Sequence, residues 1–131
     1  ITDFIKKGFE TGDISMLTDG TEQREFLYAE DCCEALEAVM ENYDELSSDD
    51  NLHITSFDAT TILDIGHIIQ GLFAEIGRSV SVTPAESKDE VQKDKRNEAD
   101  KFITKYWKPK TTIQEGIRNV FNDMKGEFNN A

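Results

Sequence analysis

Arg24 is the residue whose type and setting best suit chemistry. It stands between an Asp19-Gly20 turn signal and the acidic pair Glu30-Asp31, inside a run reading Arg-Glu-Phe-Leu-Tyr-Ala over 24–29. A guanidinium carries five donors on a planar fork, which suits a phosphate or a carboxylate. Two roles therefore stay open: a grip on a phosphorylated ligand, or a structural ion pair with Asp31 or another acid. Other groups have poorer settings. Tyr106 and Lys110 are spaced four apart, as a lysine that lowers a tyrosine pKa on a helix would be, but Pro109 lies between them and opposes helical geometry. His53 and His67 each stand alone on an expected strand and helix. Cys32 and Cys33 are adjacent, a poor geometry for bridging each other, and lack the further Cys or spaced His of a metal site. No Gly-x-x-x-x-Gly-Lys loop and no clustered glycines between a strand and a helix are present, and no Ser/His/Asp or Cys/His set has a supporting context.

Short strands and four to five helices must position these groups, which makes the fold class α/β. Phe4, Ile5 and Phe9 predict a helix over 2–12, interrupted by Gly8 and ended by Gly12. Residues 14–17 read as a strand leading into the Asp19-Gly20 turn. Residues 24–29 follow as a second strand, because large β-favouring side chains dominate there. Glu30 and Asp31 then open a helix to about Leu46, placed where carboxylates suit a helix N-terminus. Its expected apolar face is Cys33, Leu36, Ala38, Val39, Met40 and Tyr43. An acidic, serine-rich loop spans 44–50, and 51–56 alternates like a half-buried strand. Thr60 or Thr61 caps the next helix, with Asp64 in a capping-box variant; Ile62, Ile65, Ile68, Ile69, Leu72, Phe73 and Ile76 form its stripe, and Gly77 ends it. A strand over 79–83 is stopped by Pro84. The polar stretch 86–100, with its alternating-sign charges, reads as a solvated loop. A short helix over 99–106 precedes Trp107-Lys-Pro-Lys110, and Thr111 or Thr112 with Glu115 caps a last helix whose core face is Ile117, Val120, Phe121 and Met124. Residues 128–131 are expected to fray.

At 131 residues, 1–131 is expected to form one domain. A net charge of −13 with only 14 Lys and Arg opposes binding to nucleic acid or to an anionic membrane. No stretch approaches the roughly 20 apolar residues of a membrane span. No signal peptide is visible and two free thiols fit a reducing compartment, so a cytoplasmic location is expected. The start at Ile1, in mid-pattern, suggests a fragment of a longer protein.

Asp19-Gly20, Arg24, Phe26, Tyr28 and Asp31 together resemble the Gly…Arg-Asp-Phe-aliphatic/Tyr-Val-x-Asp signature of extended short-chain dehydrogenases/reductases, the NAD(P)-dependent nucleotide-sugar epimerases and dehydratases. Trp107-Lys-Pro109 is similar to the family's Gly-Trp-x-Pro before its last helix. The resemblance spans nearly the whole chain but only the family's smaller C-terminal lobe. It implies that Arg24 grips the diphosphate of a nucleotide sugar and that Asn51 adds hydrogen bonds to it. Ser15 and Leu17, on the 14–17 strand, would line the base, and Lys88, with Lys93, would sit on a closing loop where the family has an arginine. NAD or NADP, and the Tyr-x-x-x-Lys pair that serves a transient hydride transfer, would belong to an N-terminal Rossmann lobe. This stretch alone should then be inactive, with no catalytic and no cofactor-binding residue of its own. That lobe, a nucleotide sugar and a second copy of the full-length protein are the implied partners. Apolar surface for docking the lobe is expected beside the first helix or the 14–17 strand. Two other readings stay open: an acidic protein-interaction module with no small ligand, and the equivalent lobe of a related reductase.

Overall fold

A computed structural model describes residues 1–47, 52–89 and 101–129. Among these residues the elements run α1 (Thr2–Glu10), β1 (Asp13–Ser15), β2 (Gln23–Glu25), α2 (Ala29–Glu41), β3 (Ala59–Thr61), α3 (Ile62–Glu75), β4 (Ser81–Thr83), α4 (Lys101–Tyr106) and α5 (Ile113–Asn129), with a 3-10 turn at Tyr43–Glu45. The α/β class is as expected. The strands form two separate pairs: β1 with β4 in parallel, and β2 with β3 antiparallel, Arg24 opposite Thr60.

Three helices close the main core. Ile5 and Phe9 of α1, Ile65, Ile69, Leu72 and Phe73 of α3, and Ile117 and Phe121 of α5 are buried together with Ile14 and Val80. Phe73 is its centre, edge-on to Phe9 at 4.7 Å and to Phe121 at 4.9 Å. Gly8 is explained here: a Cβ on it would lie 2.2 Å from the Phe73 ring, so the absent side chain lets α1 press onto α3. Helix ends follow their capping residues. The Thr61 hydroxyl accepts from Asp64 N at 3.0 Å, and Thr112 with Glu115 makes a reciprocal box before α5. Gly77 at φ 75° ends α3 in the left-handed region that glycine enters freely.

A second, smaller core joins Ala35 of α2, Ile103 of α4 and Trp107, with Leu27, Leu52, Ile54 and Phe57 packed against it. Here the expectations need most correction. The 24–29 strand is a strand only through Glu25, because its partner β3 spans just Ala59–Thr61. Phe57, at φ 55°, turns the chain away before β3 begins. Residues 52–56 are not a strand, since Phe57 N donates to Thr55 Oγ1 at 2.9 Å and holds a local turn there. Helix α2 stops at Glu41, where Asn42 Nδ2 returns to the Ala38 carbonyl. Of its expected apolar face only Ala38 and Val39, beside the buried Ala35, meet this core. Cys33 is exposed, as are Leu36, Met40 and Tyr43, because the six-residue α4 covers one side of α2 alone. Phe128 does not fray; it stacks on Phe9 at 4.7 Å.

Candidate functional site

The β1–β4 pair continues past its strands as a ladder of loop hydrogen bonds. Met16 N donates to the Thr83 carbonyl at 2.9 Å, Ala85 N to Thr18 O at 2.9 Å, and Asp19 N to Ser87 O at 2.7 Å. The Ser87 hydroxyl adds a bond to the Leu17 carbonyl at 2.7 Å. This pins 85–87 alongside 16–19. Asp19 then caps the turn into β2, its Oδ1 accepting from Thr21 N at 3.0 Å and from Thr21 Oγ1 at 2.7 Å. Those bonds outrank burial and hold its carboxyl below the ordinary range, with Lys88 adding a smaller pull. Gly20 at φ 75° completes the turn.

Arg24 emerges from this frame half-buried. Its Nη2 donates to Asp89 Oδ2 at 2.6 Å and its Nη1 to the Gln23 carbonyl at 2.9 Å. The acid that pairs with Arg24 is thus Asp89 and not Asp31. Asp31 is buried at 3 % exposure and accepts from Thr111 N at 2.9 Å and Lys110 N at 3.2 Å. Burial works to raise its pKa, but those backbone donors, the Thr111 hydroxyl and the Lys110 charge outweigh burial and lower it. The acid that ends the motif therefore ties α2 to the Trp-Lys-Pro-Lys segment, so the two matched sequence patches form one structural unit.

The other expected site residues fall as follows. Leu17 is 89 % exposed, whereas its neighbour Met16 is core, so the two do not share one role. Ser15 is exposed at the end of β1, where its carbonyl accepts from Lys7 Nζ at 3.1 Å. Lys88 is exposed one residue before Asp89. The pinned 85–87 segment brings Leu17, Lys88 and Arg24 to one end of the fold, while Ser15 lies farther back along β1. Asn51 and Lys93 lie outside the described residues. Tyr106 and Lys110 do not form a pair: the Tyr106 hydroxyl donates to Glu45, and Lys110 Nζ meets Glu34 at 2.6 Å. His67 is exposed on α3 with Gln70 at 3.4 Å. Asp89 is the residue sequence reading missed. Nothing in the alternating charges of 86–100 separates it from its neighbours; only the pinning of 85–87 selects it.

Two clefts are also formed by described residues, of about 390 Å³ between α2 and Trp107–Lys110 and about 220 Å³ between Phe26 and the start of α5. Neither is lined by Arg24. Among the described residues no cluster of three or more His, Cys, Asp or Glu could hold a metal, and no helix is long and apolar enough to cross a membrane. Among the described residues the large exposed apolar side chains are Leu17, Leu36, Met40 and Tyr43. Leu17 fits the expected apolar surface at the 14–17 strand; the other three lie on α2 and the turn after it, and not on α1, whose Ile1 and Phe4 pack partly into the core.

Residues 1–54 match the model of the NAD dependent epimerase/dehydratase family. A GDP-L-fucose synthase of Sinorhizobium fredii (strain NBRC 101917 / NGR234) is 29 % identical over 115 residues, which are 88 % of this chain and 35 % of that protein. Among solved structures, the epimerase Mth375 of Methanothermobacter thermautotrophicus aligns with a TM-score of 0.74 at 15 % identity, over 98 % of this chain and 38 % of its own. The UDP-glucuronic acid 4-epimerase of Bacillus cereus, solved in complex with NAD, aligns at 0.69 and 17 %, over 97 % and 39 %. The structural likenesses show a shared fold. The chain spans little more than a third of the length of each of these relatives.

Proposed function

We propose that this chain is the nucleotide-sugar-binding part of an enzyme of the NAD-dependent epimerase/dehydratase family, whose model matches residues 1–54, with Arg24 gripping the substrate diphosphate. The observation that carries the reading is the placement of Arg24. Its side chain is 28 % exposed, reachable yet partly shielded from water, and the two hydrogen bonds described above engage only Nη1 and Nη2. Partial burial strengthens a charged contact relative to bulk water. Leu17, exposed at the same end of the fold, would supply an apolar surface for a base, with Lys88 and Asn51 as further contacts and Ser15 farther back on the same strand.

The dinucleotide and the redox chemistry it supplies are assigned to protein outside this chain. The junction of β3 with α3 does not fit a pyrophosphate: Thr61 and Asp64 cap each other there and put a carboxylate where the anion would rest. The chain alone is expected to turn over no nucleotide sugar. The cofactor-binding lobe would pack on the apolar side chains left exposed on α2 and the turn after it, Leu36, Met40 and Tyr43.

Calorimetric titration with UDP, GDP, dTDP and ADP tests this. Binding of at least one, lost in Arg24→Ala, is expected; equal binding by the variant would refute the role given to Arg24.

A further inference from the structure

Arg24 already holds an anion. The contact from Nη2 to Asp89 Oδ2 is short and charge-assisted, and Asp89 is only 19 % exposed. Asp89 is presented by design of the backbone: Thr83, Ala85 and Ser87 are bonded to Met16, Thr18, Leu17 and Asp19, and Asp19 also fixes the turn that leads to Arg24. One residue thus ties down both segments that bring the pair together. Glu22 and Glu25 bracket Arg24 in sequence, and each keeps one buried carboxylate oxygen without a hydrogen-bond partner among the described residues. A diphosphate that binds Arg24 must therefore take over a donor that Asp89 holds.

Resting on the reading of Arg24 as the diphosphate grip, we propose that Asp89 sets the affinity of that site: it occupies Nη2 when no ligand is bound and yields it when a diphosphate enters. Asp89 does not touch the substrate in this account; it acts through Arg24. Replacing its charge while keeping its shape lowers the cost of that exchange. Asp89→Asn should bind a nucleoside diphosphate about tenfold more tightly, equivalent to about 1.4 kcal/mol. Asp89→Ser, which cannot reach Arg24 as far, should tighten binding as well.

The test is calorimetric titration of GDP, UDP and inorganic pyrophosphate into the 131-residue chain and its Asp89→Asn, Asp89→Ser and Arg24→Ala variants, each first shown to melt cooperatively. The expected result is tighter binding in both Asp89 variants and none in Arg24→Ala. Binding in the Asp89 variants that is equal to or weaker than in the parent, with Arg24→Ala still inactive in binding, overturns this proposal and leaves the diphosphate reading intact. Unaltered binding by Arg24→Ala overturns the reading itself, and the absence of binding in every chain overturns both.

Discussion

Asp31 provides a quantitative test of how the motif is built. Its carboxylate is buried and accepts two backbone N–H bonds from the segment before α5. Hydrogen bonds to a charged group contribute about 1.5–3 kcal/mol each, and the longer, 3.2 Å one belongs at the low end. The position in the first turn of α2 adds a few tenths of a kcal/mol through the helix dipole. Asp31→Ala should therefore cost about 3 kcal/mol. Unfolding entropy near 2.1 cal/mol/K per residue, over 131 residues, is about 0.28 kcal/mol/K, so the melting temperature should fall by about 11 °C. Asp31→Asn keeps one acceptor and should lose about half as much. The pH dependence has a definite sign. The folded-state pKa of Asp31 is lowered, so its stabilisation is complete above the unfolded value near 3.9 and fades as pH falls through the folded one. The difference between the parent and Asp31→Asn, measured by calorimetric or circular-dichroism melting, should be constant from pH 7 to about 5 and shrink below pH 4. A fall of under 3 °C for Asp31→Ala, or a parent-to-Asn difference that persists unchanged into acid, would refute the reasoning.

Two further predictions concern packing and surface. Gly8→Ala gains up to about 1 kcal/mol of helix propensity but drives a Cβ into the Phe73 ring, which Phe9 and Phe121 hold in place; a net loss of about 2 kcal/mol in denaturant melts is expected. Gly71→Ala, in open space on α3, should instead gain about 0.5–1 kcal/mol, so the two glycines separate steric need from propensity. Changing Leu36, Met40 and Tyr43 together to Gln should leave stability within about 0.5 kcal/mol while reducing self-association of the chain in sedimentation velocity. Unfolding of that triple variant would show the stripe to be core.

Where local rules decide the structure, the sequence could be read. Thr61 with Asp64, Thr112 with Glu115, and the Ile65–Ile69–Leu72–Phe73 stripe all act within one or two helical turns, and each was visible as spacing alone. Helix α2 departs from its expected face because amphipathic spacing says that an apolar face exists and not that something covers it. Leu36, Met40 and Tyr43 obey the same periodicity as buried residues and stay in water. Residues 52–56 alternate like a strand, yet a strand needs a partner, and the turn at Thr55–Phe57 shortens the one that β2 has. At the site, Arg24 stood out as a cation in an apolar run. Its partner Asp89 is 65 residues away among many acids, and only the fold selects it.

The central claim is that Arg24 receives a diphosphate, and arginine Nε–Hε resonances report on that side chain directly. In a titration of labelled protein with GDP and UDP, the Arg24 signal should shift saturably with one of them. Arg118, paired with Glu75, and Arg78, over Phe9 and Phe73, should stay in place. A still Arg24 signal while the nucleotide binds, or shifts confined to Arg78 or Arg118, would contradict the account.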